Sequence, residues 1–322
     1  MALPTFSFST TAEEVADIFA SKIRGKNVLI TGTSLNGIGY ETARVIAKYA
    51  NLVIITGYNL ERLKLSQEAL KKDVPGAKIR SLILDLSSLA AVRKAAAEVN
   101  AYSEPLHILI HNAAHGGGDF KLTADGLEIQ MATAQFGPFL FTKLLAPKLI
   151  AAGSTSFSPR VVFVSSEGHR MGPGVDLDNL AHPKPEMYSN LGAYSQAKSA
   201  NILFASELAR RSRGKIHTYS LHPGSINTNM VQKEHNRADM VNFGVLNPDG
   251  TLNSKFPFKT MSQGAATTVV AAFDTRLEDQ SGSFLWDCVV ANEKIASHSA
   301  DKETAKKLWD ISEEIVDEKF TF

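Results

Sequence analysis

Three polar side chains in this sequence could together transfer a proton. Tyr194 and Lys198 lie in a stretch with helical spacing, so they would share one face of a helix about one turn apart. A phenol ordinarily has a pKa near about 10, and a neighbouring ammonium lowers that pKa, which makes a tyrosine usable as an acid or base near neutral pH. A Tyr and a Lys at this spacing are common on helix surfaces, so the pair alone identifies no site.

Ser166 supplies the third group. It follows a short apolar run at 161–164 that is typical of a buried strand. Ligands of open parallel sheets bind at the carboxyl ends of the strands, where the Ser166 hydroxyl could hold a carbonyl oxygen beside Tyr194. We therefore predict a catalytic set of Ser166, Tyr194 and Lys198.

A glycine-rich turn near the N-terminus predicts an anion site. The apolar run 27–30 is too short for a helix, and Gly32, Gly37 and Gly39 follow it and lead into a segment with helical spacing. In such a turn the backbone N–H groups and the helix dipole favour negative charge, and glycines let a pyrophosphate approach the chain. The strand before the glycines and the helix after them make this motif more specific than a glycine triplet alone.

The elements that must position these residues alternate along the chain. Predicted strands lie at 27–30, 52–56, 79–84, 107–110, 161–164, 217–221 and 282–286. Predicted helices lie at 11–20, 40–49, from about 60, at 88–100, within 124–150, and at 191–211, 261–274 and 301–316. This alternation predicts an α/β fold, with a doubly wound, seven-stranded parallel sheet flanked by helices in one domain spanning 1–322.

One long segment interrupts the alternation. Residues 229–260 form an insertion that carries an Asn-Pro-Asp-Gly turn and several apolar side chains: Met240, Phe243, Leu246, Phe256 and Phe258. Long insertions in compact domains are usually functional or disordered, and the apolar side chains favour a lid over an apolar substrate. A packed surface excursion is the alternative. Four further residues could wall the substrate site or pack in the core: His169, Met171, Met187 and Tyr188.

Composition excludes several classes of function. The chain has 322 residues, 44% of them apolar, and a net charge of +1 without a basic cluster, which argues against a nucleic-acid partner. The single Cys288 excludes an intramolecular disulfide. No apolar run approaches the roughly 20 residues that span a bilayer, and the N-terminus lacks a signal peptide's pattern, so we expect a soluble, cytoplasmic protein.

Three histidines recur at a spacing that binds metals on helices. His107, His111 and His115 lie instead on a predicted strand and its following loop, where this spacing does not bring them to one face. We expect structural roles for them and no metal site.

The ordered motifs resemble those of the short-chain dehydrogenase/reductase family, and within it the retinol dehydrogenase-like branch. The matching landmarks are Thr31-Gly32 with Gly37-Ile-Gly39, Asp85-Leu-Ser87, Asn112-Ala-Ala114, Ser166, Tyr194 with Lys198, and Pro223-Gly224 with Thr228. They extend over nearly the whole chain from Gly25. The resemblance implies a Rossmann-type domain that binds a nicotinamide dinucleotide.

The resemblance also implies a role for each matching residue. Tyr194 would be the proton donor or acceptor, Ser166 would position the substrate oxygen, and Lys198 would hold the nicotinamide ribose and lower the tyrosine pKa. Hydride would pass directly between cofactor and substrate carbons, so no metal is implied. The implied cofactor-binding residues are Gly32, Ser34, Asn36, Gly37, Ile38, Gly39, Tyr58, Arg62, Asp85, Leu86, Asn112, Ala113, Tyr194, Lys198, Pro223, Gly224, Ile226 and Thr228.

Three departures from the family pattern stand out. The glycine motif is one residue longer, so the turn must bulge around 34–36, and Ala114 replaces a glycine, which requires negative φ there. Ala134 stands where the family's Asn helps to hold a proton-relay water. Pro138 cannot bond to the Ala134 carbonyl, and we hypothesise that this freed carbonyl binds the relay water instead.

The choice of nicotinamide cofactor depends on the end of the second strand. NAD-binding relatives place an acid there for the ribose 2′-hydroxyl, whereas this chain has Gly57 followed by Tyr58. The absence of an acid permits a 2′-phosphate, with Arg62 or Lys64 as its partner. NADP(H) is therefore favoured, and NAD(H) stays open.

The sequence thus predicts an NADP(H)-dependent oxidoreductase that interconverts an alcohol and a ketone or aldehyde on an apolar, medium-sized substrate. A catalytically silent, cofactor-binding scaffold or regulator is the main alternative, which Ala134 favours and the intact catalytic set opposes. A reductase of carbon–carbon double bonds is a weaker alternative, because Ser166 is placed for an oxygen. Relatives often form a homodimer through the helices predicted within 136–150 and 191–211.

Overall fold

The computed structural model describes residues 5–228, 231 and 233–322. Its strands are β1 (Asn27–Ile30), β2 (Leu52–Gly57), β3 (Ile79–Ile83), β4 (Ile108–His111), β5 (Arg160–Val164), β6 (His217–His222), β7 (Ser225–Ile226), β8 (Phe258–Lys259), β9 (Phe284–Trp286) and β10 (Val289–Val290). Its α-helices are α1 (Ala12–Ile18), α2 (Ala20–Ile23), α3 (Ile38–Ala47), α4 (Leu60–Asp73), α5 (Leu89–Ala101), α6 (Ile129–Met131), α7 (Gly137–Ala151), α8 (Asn190–Ser212), α9 (Arg237–Asn242), α10 (Met261–Phe273), α11 (Ser297–Ala300) and α12 (Lys302–Val316).

The main sheet has the order β10-β9-β6-β5-β4-β1-β2-β3. β1 lies in its middle and pairs in parallel with β2 on one side and β4 on the other. All four residues of β1 are buried, which explains why this strand is uniformly apolar rather than alternating. The chain reverses its winding direction at the β1–β4 junction, and this opens a crevice at the carboxyl ends of these strands.

The predicted seven parallel strands are present, but the sheet has eight, so the predicted strand count is wrong by one. The additional strand, β10, pairs antiparallel with β9 through a two-residue turn at Asp287 and Cys288. Both turn residues have positive φ, 50° and 67°, which short hairpin turns require and which usually selects Asn-Gly or Asp-Gly. Because neither a glycine nor a long strand marks this hairpin, the sequence pattern did not reveal it.

Helices cover both faces of the sheet. One buried apolar cluster joins the sheet to α5, α7, α8 and α12, and the other joins it to α1, α3 and α10. Trp309 of α12 is fully buried and packs edge-on against Phe139 of α7 and Phe204 of α8, with ring centroids 5.0 and 5.7 Å apart. None of the described helices is long and apolar enough to cross a membrane.

The segment predicted as a lid has structure of its own. It contains α9 and ends at β8, which pairs in parallel with β7 as a separate two-stranded sheet. Three residues of the predicted lid, Asn229, Met230 and Gln232, lie outside the described residues. β7 directly follows the Pro223-Gly224 motif, so the end of the lid is joined to the loop after β6.

Candidate active site

Two hydrogen bonds attach α8 to the carboxyl end of β5. The Ser165 hydroxyl donates to the Lys198 carbonyl at 2.6 Å, and the Lys198 ammonium donates to the Val164 carbonyl at 2.9 Å. Both side chains are buried. The serine after β5 and the Tyr-Lys face of α8, which the sequence predicts to meet, are therefore held together.

The Tyr194 ring lies directly over the turn that follows Ser166. A Cβ on Gly168 would come within 2.5 Å of Cε1 of Tyr194, so only glycine permits this approach. The Ser166 hydroxyl accepts a hydrogen bond from the Gly168 N–H at 3.0 Å and is hydrogen-bonded to the Tyr194 side chain. Ser166 and Tyr194 thus form one constellation facing the cleft.

Burial controls the ionisation of both α8 groups. It raises the pKa of Tyr194, an effect that the hydrogen bond with Ser166 only partly opposes. It lowers the pKa of Lys198 to about 8. The Lys198 ammonium lies 5.7 Å from the Tyr194 ring centroid and donates to a backbone carbonyl. That this ammonium lowers the tyrosine pKa therefore stays a prediction, because burial has the larger effect on Tyr194 here.

The glycine turn is shaped by close backbone contacts. Gly32 has φ +72°, and a Cβ there would come within 2.7 Å of the Ala113 Cα. Asn36 takes up the additional residue of the motif in a left-handed conformation, with φ 59°, which Asn tolerates better than most residues. The predicted bulge around 34–36 is present, and α3 still begins directly after Gly37.

Asn112 fixes this turn to the end of β4. Its Nδ2 donates to the carbonyls of Thr31 and Gly32 at 3.0 and 2.9 Å. A Cβ on Gly39 would overlap the Asn112 amide, so the absence of a side chain at Gly39 lets α3 pack against Asn112. Gly39 itself does not line the cleft. Ala114 has no positive φ, as its replacement of a glycine requires.

A cleft of about 890 Å³ runs along the carboxyl ends of the strands. It brings together the predicted catalytic set and every predicted cofactor residue except Gly39. The predicted residues that line it are Gly32, Ser34, Asn36, Gly37, Ile38, Tyr58, Arg62, Asp85, Leu86, Asn112, Ala113, Ser166, Tyr194, Lys198, Pro223, Gly224, Ile226 and Thr228.

The cleft end beyond β2 carries no acid. Tyr58 is 69% exposed, and Asn59 accepts a hydrogen bond from the Arg62 N–H at the start of α4. The Arg62 side chain lines the cleft, whereas Lys64 lies outside it and pairs with Glu61 at 3.2 Å. Of the two cations proposed from the sequence, only Arg62 is therefore placed at the cleft.

The segment around Ala134 departs from a regular α-helix. Between α6 and α7 one wide turn intervenes, in which the Gly137 N–H bonds to the Ala132 carbonyl, and Pro138 then starts the regular helix. The Ala134 carbonyl is bonded by Asn201 Nδ2 of α8 at 2.8 Å. The hypothesised relay water would need the second lone pair of this oxygen.

Apolar side chains of the predicted lid line the substrate end. Met240, Phe243, Phe256 and Phe258 face the cleft, whereas Leu246 is buried outside it. Of the four flanking residues proposed as walls, only Met171 lines the cleft. His169 is buried and hydrogen-bonded to backbone groups, Met187 is exposed, and the Tyr188 hydroxyl donates to the Gly118 carbonyl.

A network of amides joins the predicted lid to the loop after β4, and sequence reasoning missed it. The Asn190 carboxamide accepts from the Gly118 N–H at 2.9 Å and donates to Asn236 at 3.0 Å. Asn236 in turn donates to the Gly116 carbonyl at 3.1 Å, and Gln130 donates to the Asn190 carbonyl at 3.2 Å. The run of glycines at 116–118 is the one signal in the sequence that marks this closely packed loop.

Two of the three spaced histidines are structural. His107 accepts a hydrogen bond from the Asn27 N–H, and His111 bonds to Thr142 and stacks on Phe163. Burial lowers the pKa of His111 to about 3, so it is neutral. His115 differs because it lines the cleft. The described residues contain no group of three or more His, Cys, Asp or Glu side chains that could hold a metal ion.

Comparisons with known proteins agree with this geometry. The family model described as short chain dehydrogenase matches residues 26–176. The Brassica napus protein named short-chain dehydrogenase TIC 32 A, chloroplastic, is 34% identical over 97% of this chain and 94% of its own length. The Penicillium rubens short-chain dehydrogenase/reductase prx1 is 35% identical over 92% of this chain and 86% of its own length. The chain belongs to the short-chain dehydrogenase/reductase family.

Solved structures show the same fold. A Mycobacterium paratuberculosis protein of unassigned function has a TM-score of 0.69 and 27% identity, over 94% of this chain and 98% of its own. Two further structures share the fold. An Escherichia coli short-chain dehydrogenase complexed with NADPH has a TM-score of 0.62 and 21% identity, over 83% of this chain and 98% of its own. An NAD⁺-bound xylitol dehydrogenase has a TM-score of 0.64 and 19% identity, over 82% of this chain and 98% of its own. Family membership makes this chain a nicotinamide-dependent oxidoreductase, with the choice between the two nucleotides open.

Proposed function

We propose that the protein is an NADP(H)-dependent reductase or dehydrogenase that interconverts an alcohol and a ketone or aldehyde on an apolar, medium-sized substrate. The observation that carries this proposal is the joint placement of Ser166, Tyr194 and Lys198 at one end of a cleft that also contains the glycine turn. Apolar lid residues at that same end support an apolar substrate.

The cleft fits the nucleotide. Its middle is bordered by Gly37 and Ile38 at the N-terminus of α3, where backbone N–H groups and the helix dipole suit a pyrophosphate. Asp85 and Leu86 would contact the adenine, and Pro223, Gly224, Ile226 and Thr228 would contact the nicotinamide end. When bound, the nicotinamide ring exchanges a hydride with the substrate carbon.

The chain's own groups manage the accompanying proton. In the reductive direction the Tyr194 hydroxyl gives its proton to the substrate oxygen, and burial keeps that hydroxyl protonated beforehand. Ser166 donates a hydrogen bond to the same oxygen and holds it next to Tyr194. Lys198 is then placed to stabilise the phenolate that forms, because it is buried one helical turn away.

NADP(H) is the proposed cofactor because no acid lines the cleft end beyond β2. An acid there would repel a 2′-phosphate, whereas the Arg62 guanidinium at the same end attracts one. Parallel fluorescence titrations with NADPH and NADH test the choice. The Trp286 ring contacts that of the cleft residue His222, with ring centroids 4.2 Å apart, and provides the signal. Arg62→Gln should weaken NADPH binding by about tenfold and leave NADH binding unchanged.

Tyr194→Phe tests the chemistry. This variant should bind NADPH as the parent does while kcat falls by at least about 10²-fold, the lower end for a lost general acid. Tyr40→Phe is the matched control, because its hydroxyl bonds to Asp73 outside the cleft. Equal turnover by the parent and Tyr194→Phe would remove Tyr194 from the mechanism.

A silent, nucleotide-binding scaffold is the second candidate, and the observation that favours it is Ala134 in place of the family's Asn. Asn201 occupies the freed carbonyl of Ala134. Nucleotide binding without oxidation of NADPH by any of a panel of apolar aldehydes and ketones would support the scaffold. Turnover of one such carbonyl would reject it.

We further propose that residues 1–322 act as one domain with 229–260 as its lid, that the protein works in the cytoplasm, and that two copies pair through α7 and α8. α12 already covers part of that helix pair through Trp309, so the exposed remainder would form the contact. Fluorescent tagging tests the compartment, and sedimentation of the full chain tests the pairing; a single species at the monomer mass would exclude the homodimer.

A further inference from the structure

The imidazole of His115 is a polar group in the cleft without a chemical task in the proposed reaction. It follows β4 and the Asn112 turn, and its Nδ1 is buried without a hydrogen-bond partner. Burial, reinforced by neighbouring cations, lowers the pKa of His115, so the ring is neutral and can donate one N–H. Because Nδ1 is enclosed by protein, a ligand in the cleft would meet this imidazole through its other nitrogen, Nε2.

Three positive or potentially positive side chains surround this ring. Lys121, Lys233 and His235 all act electrostatically on His115. Lys121 lines the cleft, and the Lys233 ammonium lies against the Cα of Gly116. His235 bonds through Nε2 to the Gly116 carbonyl at 2.9 Å.

No acid neutralises this corner. In the described part of the chain, neither Lys121 nor Lys233 is among the lysines that form an ion pair. The acids nearest in sequence, Asp119 and Glu234, are exposed. Among the described residues of the predicted lid, one acid, Asp239, lines the cleft. The residues around His115 therefore favour a negative ligand group.

The corner lies within a substrate's length of the reacting oxygen. Asn190 and Tyr194 are neighbours on α8, and residues one turn apart on a helix have Cβ atoms about 6 Å from each other. Asn190 holds the Gly118 N–H at 2.9 Å, so the loop carrying His115 is fixed about one helical turn from the catalytic tyrosine. Met240, Phe243 and Phe256 contribute apolar side chains to the wall of the same cleft.

From this arrangement we propose that the substrate carries a carboxylate at a distance from its reacting carbonyl, and that His115, Lys121 and Lys233 bind this carboxylate. The inference rests on the proposed function and specifies its substrate class as an apolar oxo acid or hydroxy acid. His115 would donate its N–H to one carboxylate oxygen, and the two lysines would supply the attracting charge.

A matched pair of substrates tests the proposal. The probes are decanoic acid bearing an aldehyde at its far end, and the methyl ester of that acid, which differ in the negative charge and share the reacting group. The kcat/KM for the acid should exceed that for the ester by about tenfold, because a charge-assisted contact contributes about 1.4 kcal/mol or more. Added salt should reduce the preference.

Variants locate the effect. Lys121→Met and Lys233→Met should each reduce the preference for the acid about threefold, because each removes part of the attracting charge. His115→Phe should also lower kcat/KM for the acid, because it removes the N–H donor to the carboxylate. Asp239→Asn should increase the preference. Lys64→Met, an exposed lysine outside the cleft, is the matched control.

Binding measured by calorimetry in the presence of NADP⁺ tests the carboxylate site separately from the reductase activity. Turnover of both probes with equal kcat/KM, or a preference that the variants leave unchanged, overturns the carboxylate site and leaves the reductase intact. Tighter binding of the acid without turnover overturns the reductase and keeps the site. Failure of the acid to bind more tightly than the ester overturns the carboxylate site, whatever the turnover.

Discussion

The nucleotide side and the substrate side of the cleft are built by different means. On the nucleotide side, Gly32 and Asn112 contact each other where β1 and β4 are neighbours in the sheet. On the substrate side, amides of Asn190 and Asn236 join a loop, a helix start and a lid that are far apart in sequence. The first arrangement follows from strand pairing, whereas the second depends on contacts that only the folded chain creates.

The largest effect should come from Gly32→Ala, which alters the glycine turn on the nucleotide side of the cleft. Its Cβ would combine a left-handed backbone with a 2.7 Å contact to Ala113. We expect a loss of at least about 3 kcal/mol in the free energy of unfolding and a loss of more than about tenfold in NADPH affinity, because the start of α3 must move. Denaturant titration and fluorescence binding measure the two quantities.

Gly76→Ala is the control for that prediction. Gly76 has φ +84° with no atom within 4 Å of its would-be Cβ, so this change isolates the backbone cost of about 1 kcal/mol. If the two variants lose equal stability, the close packing of Gly32 against Ala113 contributes nothing.

Lys259→Met tests the support beneath the nicotinamide end. Lys259 is 4% exposed, packs along Gly224 and pairs with Asp287 at 2.5 Å in the strained hairpin turn. The Asp287 side chain that Lys259→Met leaves unpaired is 25% exposed, so we expect a loss of about 2 kcal/mol in the free energy of unfolding. Lys64→Met, which removes an exposed pair, should change stability by less than about 0.5 kcal/mol. Matching denaturation curves for the two variants would refute the structural role of Lys259.

The β9–β10 hairpin is a part of the fold that the sequence pattern could not predict. β1 to β6 and β9 were predicted within a few residues because buried parallel strands are short apolar runs between helices. β10 and the β7–β8 pair contain only two residues per strand, so no periodicity can mark them. Lys259 at the end of β8 pairs with Asp287 in the β9–β10 turn, and these two residues are close only in the folded chain.

Lys198 predicts how stability responds to pH. Burial lowers its pKa to about 8, below the usual value of about 10.4 for an unfolded chain. Between these values the unfolded state binds a proton that the folded state has released, so this group makes stability rise with pH across that window, by on the order of 1–3 kcal/mol. Lys198→Met should remove that rise.

The comparison must be made between the parent and this variant. Burial raises the pKa of Cys288 to about 11, which makes stability fall with pH in an overlapping range and affects both proteins equally. Unfolding free energies at pH 7.5 and about 10 provide the test. If the difference between parent and Lys198→Met is independent of pH, the lowered pKa is wrong.

Within the site too, features with a local sequence pattern could be predicted, whereas contacts made only in the folded chain could not. Ser166, Tyr194, Lys198 and the glycine turn could be predicted because each lies within or directly after an element with its own pattern. The amides and His115 could not, because Asn, Gln and His occur in many environments and only their folded neighbours give them a role. Helical spacing likewise placed Lys198 near the Tyr194 ring but did not reveal the bond from Lys198 to the Val164 carbonyl.

Asn190→Ala should give the smallest effect and addresses the substrate side directly. The variant loses the bonds to the Gly118 N–H and to Asn236, so the loop and the lid would be joined less firmly. Because these hydrogen bonds contribute a net free energy of about 1 kcal/mol, KM for an apolar carbonyl should rise about fivefold while the Kd for NADPH stays constant. Asn247→Ala, which removes a bond to Thr251 within an exposed lid turn, should leave both constants unchanged. If Asn190→Ala weakens NADPH binding as much as substrate binding, the two sides of the cleft are not independent and the contrast between them fails.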